Sequence, residues 1–297
     1  MADTIVKTSL PEYVNQNNSE LLIKAMTGAK TLRYIEQMLG VKSKTTLNIL
    51  NSSVVFADGK ECGFNAEGAD TLTQRELTAL PIKINKEWCD RTLIDTFANH
   101  QLRLVAGGEV MPFEEKFINS NLAEIASELD KLIWQGNDTL GANGFIDLAT
   151  ALDSGVLTAE GADIVALVNA VYAKIPSEAL SRGAVIFMSE TNYRAYVTAL
   201  NAECCNGTIY DASTGEMLYK GDSRVTLVGV GGLEGTNYVV ASAKDNFVYG
   251  TDIRDAHATF KVWYSDDADL FRFKVLFNAG VQYKFPDEVV LGAIASA

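Results

Sequence analysis

The sequence predicts an α+β fold, and three observations lead to that prediction. Two strand-like runs flank an acidic turn at Asp266–Asp269, near the end of the chain. A long amphipathic helix is predicted over Met111–Gly136, and short strands alternate with helices between residues 138 and 255. With 297 residues, the chain is long enough to bury one large core or two medium ones.

The C-terminal runs have the clearest strand pattern in the sequence. Leu270–Phe285 begins with strict alternation, which is typical of a strand with one buried face. One predicted face carries Phe271, Phe273, Val275 and Phe277, and the other carries Arg272, Lys274 and Leu276. We therefore expect a long antiparallel hairpin over residues 256–291. Aromatic side chains on these strands are typical of a sheet core, although stacking on sugars or bases is an alternative use.

The helix predicted over Met111–Gly136 has signals at both ends. Pro112 lies in the first turn, and Glu114 and Glu115 complement the helix N-terminus. Gly136 is suited to the C-terminal cap. The apolar stripe of this helix consists of Ile118, Leu122, Ile125, Leu129, Leu132 and Ile133.

Before this helix, the pattern changes several times. Residues 1–17 lack periodicity, which predicts an extended or disordered arm. Ser19–Gly40 keeps a helical stripe, with Ser19 as the cap and Gly40 as the stop. Arg75–Asn85 reads as one strand, which Pro81 confines to an edge or a bulge, and Lys86–Leu104 is predicted to be helical.

The segment between these elements predicts a long β-loop. Strands are predicted at Thr45–Leu50 and Ser53–Phe56, followed by an Asp-Gly turn at Ala57–Lys60. The stretch Cys62–Asp70 is rich in Gly and Ala and has few core residues. We therefore expect the loop to stand away from the core of its own subunit.

Between residues 138 and 255, an α/β texture predicts a second domain, from which the chain later returns to the first. The predicted helices are Asp163–Ile175 and Glu190–Leu200, and the predicted strands are Ala184–Met188, Arg224–Val230 and Tyr238–Ala243. The run Gly229–Gly235 lacks the third glycine of a dinucleotide-binding fingerprint and precedes a strand, so we interpret it as a hairpin loop.

Composition and motifs argue against several classes of function. The net charge of −13 disfavours binding to free nucleic acid, although plain solubility also explains it. No apolar run is long enough to span a membrane, and the N-terminal residues do not form a secretion signal. The cysteines and the two histidines lack metal-ligand spacing, and no nucleophile motif is present. We predict no catalytic residue, no metal and no cofactor.

The order of parts resembles a known family, the major capsid proteins of tailed bacteriophages with the HK-ninety-seven-like fold. The most similar text is LDKLIWQGN at Leu129–Asn137 and FRFKVLFNAGVQYKFPDEVV at Phe271–Val290. The resemblance implies five parts, which are an N-terminal arm and helix (1–41), an extended loop (42–74), a peripheral domain (75–139) with its spine helix (111–136), an axial domain (140–255) and a return to the peripheral domain (256–297).

The resemblance also implies partners. The chain would assemble into pentamers and hexamers of an icosahedral shell around double-stranded DNA, which it would hold without sequence-specific binding. We expect an acidic surface to keep the shell from adhering to that DNA. The scaffold would be a separate protein or absent, a portal and decoration proteins would be further partners, and assembly would take place in the host cytoplasm. The residues assigned to intersubunit contacts are Asp58, Lys60, Phe64, Arg75 and Glu76.

The chain departs from the family in two respects, and three other functions are alternatives to a capsid protein. The family often carries a scaffolding segment before the arm, and some members crosslink through a loop lysine, but nothing identifies a partner for Lys60. An encapsulin-like nanocompartment has the same fold. An α/β enzyme would need a convergent site, and a phage tail or decoration protein would lack the long helix.

Overall fold

The structure of the protein is a computed structural model. It describes residues 2–52, 54–56, 68, 70–89, 91, 92, 96, 113–151, 155–202, 209, 210, 215–220, 222–252 and 259–294. In chain order, the helices are α1 (Ala2–Gln16), α2 (Asn18–Thr27), α3 (Phe113–Gln135), α4 (Phe145–Ala151), α5 (Ile164–Lys174), α6 (Ser177–Arg182) and α7 (Glu190–Ala202). The strands are β1 (Glu36–Leu39), β2 (Lys44–Ser52), β3 (Asp70–Thr78), β4 (Leu80–Cys89), β5 (Leu157–Gly161), β6 (Ala184–Ser189), β7 (Ile209–Tyr210), β8 (Met217–Tyr219), β9 (Asp222–Val230), β10 (Tyr238–Ala243), β11 (Phe247–Thr251), β12 (Thr259–Ser265), β13 (Leu270–Tyr283) and β14 (Val290–Ile294).

The first sheet is built on β13. Strand β12 pairs with it as the predicted antiparallel hairpin, and β4 pairs along Leu270–Ala279. Ala279 lies between Leu80 of β4 and Thr251 of β11, so β4 and β11 occupy opposite edges of β13. Burial alternates strictly along β13, which confirms the predicted buried face.

The second sheet has seven strands in the order β5-β14-β10-β6-β9-β8-β7. The helices and strands predicted between residues 163 and 243 are all present within one or two residues of their predicted bounds. Two strands lie in a different sheet from the one that the predicted domain limits, 140–255 and 256–297, would give them. Strand β11 lies in the first sheet, and β14 lies in the second. The division into a peripheral and an axial domain stays a prediction.

The run Gly229–Gly235 is not a hairpin loop. Strands β9 and β10 flank β6, with β9 parallel and β10 antiparallel to it, so the connection crosses the end of β6. It contains a short 3-10 turn at Gly231–Leu233 and packs on α3. A Cβ on Gly232 would lie 2.1 Å from the Asp130 carbonyl oxygen, so this glycine is needed for the close approach.

Helix α3 is the predicted long helix. Its 23 residues span about 34 Å, and its apolar stripe packs in one core with both sheets. The predicted cap is confirmed, because Gly136 follows the last helical residue and has a φ of +68°. Trp134 is fully buried among Phe145, Phe187 and Phe247, whose rings come from a helix and from both sheets.

The N-terminal predictions were wrong in part. Residues 2–16 form helix α1 rather than an extended arm, and Leu10 and Val14 are fully buried. The predicted helix over Ser19–Gly40 stops at Thr27, and Gly28, which follows it, lies against Ala126 of α3 with space for no side chain. Beyond it, β1 pairs in parallel with β11, a partner more than two hundred residues away. Ser19 is not the cap, which is Asn17.

Strands β2 and β3 form a separate two-stranded sheet, which we call the ribbon. It pairs from Lys44 with Thr78 to Ser52 with Asp70. The strand predicted over Arg75–Asn85 is in fact two strands, divided at Ala79 where the chain changes partner from β2 to β13. The prediction that Pro81 lies on an edge strand is confirmed, because β13 is the only partner of β4 in the described part of the chain.

Two further local predictions differ from the structure. Val54, Val55 and Phe56 are not in a strand. Lys86–Cys89 belongs to β4 rather than to a helix, because its residues pair with β13. The predicted turn at Ala57–Lys60 and most of the remaining helix prediction lie outside the described residues.

Candidate assembly surfaces

The ribbon is anchored to the first sheet at a pair of glycines. Gly250 and Gly280 are direct cross-strand partners on β11 and β13. A Cβ on Gly280 would lie 2.0 Å from the Thr78 carbonyl oxygen, and one on Gly250 would lie 2.6 Å from Leu77 Cδ2. The two glycines therefore provide the flat area that the base of the ribbon crosses.

A small apolar cluster and several backbone bonds hold this base in place. Leu47, Leu77 and Val41 are buried in the cluster together with Ala79 and Val248. The Ala79 N–H donates to the Ser43 carbonyl over 2.7 Å. These contacts are confined to the base, so they fix the direction in which the ribbon leaves the body.

Two of the predicted intersubunit residues, Arg75 and Glu76, lie on β3 near this anchor. Arg75 Nη2 donates to Gln282 Oε1 over 3.3 Å, and burial lowers the pKa of the Arg75 guanidinium from its ordinary value. Glu76 pairs with Lys44 at 2.5 Å, and the hydrogen bond from Lys44 lowers the pKa of the Glu76 carboxyl. The Glu76 carbonyl also accepts from Gln282 Nε2 over 2.9 Å.

These contacts bear differently on the intersubunit prediction. Arg75 makes its hydrogen bond within its own subunit. Its Nε atom is buried and has no hydrogen-bond partner in the described structure. Glu76 is exposed on the outer face of the ribbon. The other predicted contact residues, Asp58, Lys60 and Phe64, lie outside the described residues. The intersubunit assignment of all five stays a prediction.

The apolar side chains exposed at the end of the ribbon far from its anchor were not predicted from the sequence. Leu50 and Leu72 are direct cross-strand partners and are 64% and 63% exposed. Beyond them, Phe56 is 96% exposed and Val54 is 76% exposed. One feature of the sequence could have predicted this exposure. Leu47 and Ile49 alternate as inward-facing residues, so Leu50, which follows directly, has to face outward. A cross-strand apolar pair in water is a surface that a partner can cover.

A buried polar network joins the N-terminal segment, α3 and the second sheet. Asp130 accepts the Thr31 N–H over 3.1 Å and the Gly232 N–H over 2.8 Å. Trp134 Nε1 donates to Thr31 Oγ1 over 2.7 Å, and Gln135 Nε2 donates to the Gly232 carbonyl over 2.6 Å. The network fixes the second sheet relative to α3, because both oxygens of one buried carboxylate are used.

The described residues hold no cluster of three or more His, Cys, Asp or Glu side chains placed to bind a metal ion. None of the helices in the described part of the chain is long and apolar enough to cross a membrane.

Comparisons with known proteins identify the fold. No protein-family model matches the sequence, and no curated protein matches it. Among solved structures, the satellite phage P4 procapsid has a TM-score of 0.64 at 12% identity, covering 94% of this chain and 91% of that chain. The capsid of a native GTA particle, computed with C5 symmetry, has a TM-score of 0.54 at 12% identity, covering 92% and 91%. The virus-like particle from Pyrococcus furiosus has a TM-score of 0.53 at 12% identity, covering 94% and 99%.

These likenesses extend over almost the whole of each chain. The protein therefore has the HK-ninety-seven-like capsid fold, and the predicted α+β fold class is confirmed. At such low identity the likeness establishes the fold alone, so function is argued from the surfaces described above.

Proposed function

We propose that this protein is the major capsid protein of a tailed bacteriophage and that it assembles into an icosahedral shell of pentamers and hexamers. The observation that carries the proposal is the ribbon, which leaves a well-packed body and exposes apolar side chains at its far end. The fold, which the chain has in common with shell-forming proteins, supports the same function.

The physical argument starts from what one subunit leaves uncovered. Leu50, Leu72 and Phe56 contribute little to the stability of their own subunit because they remain in water. A neighbouring copy that covers them gains roughly 25 cal/mol for each Å² of apolar surface buried. Since the ribbon of one copy meets a different surface of the next, the contact is head-to-tail and closes into rings.

The remaining roles follow from the shell. The protein would have a structural rather than a catalytic function in the virion, and it would assemble in the cytoplasm of a bacterial host. Its further partners would be a separate scaffolding protein, a portal, decoration proteins and the packaged double-stranded DNA. Contact with that DNA would not depend on sequence, since the net charge of −13 disfavours tight binding to phosphates.

A second candidate function is a protein nanocompartment of the encapsulin type. The likeness to the virus-like particle from Pyrococcus furiosus favours it. The two functions differ in what the shell encloses, so particles purified from the native source separate them. Double-stranded DNA inside supports the capsid, and an enzyme inside supports the compartment.

The proposal is tested by expressing the protein and measuring particle formation by sedimentation and negative-stain imaging. In a second variant, an Asn-Gly turn replaces residues 53–69, which closes the hairpin between the paired residues Ser52 and Asp70. We expect particles from the natural sequence and none from the variant, with unchanged thermal melting, because the anchor of the ribbon is intact. A natural sequence that stays monomeric with and without its scaffolding protein contradicts the proposal.

A further inference from the structure

Two side-chain amides on β13 hold the base of the ribbon. Asn278, Gly280 and Gln282 alternate with buried residues, so all three lie on the face of β13 opposite the core. Asn278 Nδ2 donates to the Lys42 carbonyl over 2.9 Å, and Gln282 Nε2 donates to the Glu76 carbonyl over 2.9 Å. The first bond holds the chain that leads into β2, and the second bond holds β3.

The Gln282 amide is fixed in its orientation by the groups around it. Its Oε1 accepts from the Tyr283 N–H over 3.0 Å and from Arg75 Nη2 over 3.3 Å. Because both of these groups are donors, the amide nitrogen is directed to the remaining acceptor, the Glu76 carbonyl. Gln282 therefore connects β13 to β3 as a donor and as an acceptor at once.

The apolar anchor of the ribbon differs from these amides in what it can determine. Leu47 and Leu77 are buried in a cluster with Val248. The hydrophobic effect is non-directional, so it stabilises any arrangement that removes these side chains from water. Hydrogen bonds depend on angle as well as on distance. The cluster therefore keeps the ribbon on the body, whereas the amides select one direction for it.

The two amides are far enough apart to prevent rotation of the ribbon. Asn278 and Gln282 are four positions apart on β13, which corresponds to about 13 Å along a strand. Gly280 lies midway between them, and a Cβ on it would be 2.0 Å from the Thr78 carbonyl oxygen. The closest approach of the ribbon base thus falls between the two bonds. A segment held on both sides of its closest contact cannot turn there without breaking a bond.

We propose that Asn278 and Gln282 are positioning residues that set the direction in which the ribbon leaves its subunit, and that regular assembly depends on them. This inference rests on the proposed function, since the direction matters where the ribbon reaches a neighbouring copy. Ring closure depends on the rotation between adjacent copies. A ribbon that samples several directions still folds and still exposes Leu50 and Leu72, but it meets the next copy at the wrong angle.

The test removes the amides and roughly keeps the size of the side chains. The double variant is Asn278→Leu with Gln282→Met, and each single variant is also made. Asn85→Leu with Gln74→Met is the control, because Asn85 lies on β4 and Gln74 donates to Asn48 within the ribbon itself. Residual dipolar couplings of backbone amides, measured on unassembled subunits, compare the orientation of the ribbon with that of the first sheet.

We expect one alignment to fit the ribbon and the first sheet of the natural protein together. Loss of one solvent-accessible hydrogen bond shifts an equilibrium by roughly threefold. Each single variant should therefore lower the share of regular closed particles about threefold, and the double variant about tenfold, with smaller ribbon couplings in the same order. Melting and hydrogen exchange within the ribbon should stay unchanged, since Leu47 and Leu77 still hold the base. The control should match the natural protein.

Three results overturn the inference. Unchanged couplings in the double variant show that apolar contacts alone set the direction of the ribbon. Faster hydrogen exchange within the ribbon shows that the amides maintain its fold rather than its direction. Smaller couplings with normal particles show that assembly does not depend on the direction. If the natural sequence forms no particles, the proposed function falls with the assembly half of this inference, whereas the couplings still decide whether the two amides position the ribbon.

Discussion

Helix α3 and the ribbon place similar apolar side chains in opposite surroundings. Ile125, Leu129 and Ile133 of α3 are nearly or fully buried in a core that includes both sheets. Leu50 and Leu72 of the ribbon are mostly in water, although they face each other across two paired strands. Secondary structure alone therefore does not make an apolar residue stabilising, because only burial removes its side chain from water. The helix stabilises the subunit, whereas the exposed leucines at the far end of the ribbon contribute little to it.

The strongest test of the comparison is a charge in the α3 core. Ile125→Asp places an unpaired carboxylate at a position that is 3% exposed, so the free energy of unfolding should fall by more than about 4 kcal/mol. Chemical denaturation followed by circular dichroism measures the change. Ser127→Asp on the exposed side of the same helix is the control, and equal losses in the two variants would mean that the helix has no buried face.

A smaller loss is expected at the polar network of the same helix. Asp130→Ala leaves the buried Thr31 and Gly232 N–H groups without acceptors, which should lower the free energy of unfolding by about 2–4 kcal/mol. Asp130→Asn keeps one acceptor oxygen and should lose less. An alanine variant as stable as the natural protein would show that the Asp130 carboxylate does not help to hold α3 to the second sheet.

The matching test in the ribbon should separate stability from assembly. Leu50→Ser with Leu72→Ser removes apolar groups that are mostly in water, so the free energy of unfolding should change by less than about 0.5 kcal/mol. Particle yield measured by sedimentation should fall, whereas Leu140→Ser, at an exposed leucine after α3, should leave it unchanged. Loss of stability together with yield would remove the contrast between the two regions.

The smallest effect is expected for surface carboxylates, and it depends on pH. Arg224 donates to Asp222 over 2.8 Å and, with Tyr172, holds the pKa of that carboxyl well below its usual range. A lowered pKa stabilises the fold above the unfolded value, and the stabilisation is lost as the pH falls through the folded value. Asp222→Asn should therefore cost about 1 kcal/mol or less at neutral pH, and its melting curve should converge with that of the natural protein in acid.

The matched ribbon variant is Glu76→Gln. Its carboxyl also has a lowered pKa because of Lys44, but both side chains are more than half exposed. We expect no measurable change in melting at any pH. A loss as large as that of Asp222→Asn would mean that the ribbon contributes to the stability of its own subunit.

The sequence predicted the elements whose patterns are local. The alternation in β13 and the stripe of α3 are complete within single segments, so burial followed from spacing. Helix α1 was missed because it is polar, contains Pro11 and buries Leu10 and Val14 against partners far along the chain. Strand β1 was read as helix because its pairing with β11 is invisible in a local window.

The candidate surfaces were predictable to a smaller extent. The β-loop was predicted, but the boundary at Ala79 between its second strand, β3, and β4 was not. Only the change of pairing partner from β2 to β13 marks this boundary. The clustering of three lysines on the outer face of the first sheet could not be recognised in the sequence either. Lys83, Lys261 and Lys274 lie on three strands, and only the register of the sheet brings them together.

The pairing of β4 with β13 has a consequence for synthesis on the ribosome. Cys89 pairs with Leu270, so β4 emerges long before its partner exists. At about 5–20 residues per second, that interval lasts roughly 10–40 s. During it the nascent chain has an unpaired strand edge, whereas the ribbon closes at once from neighbouring residues. Until β13 has been synthesised, the edge of β4 is therefore open to pairing with strands of other chains, including nascent copies on the same messenger RNA.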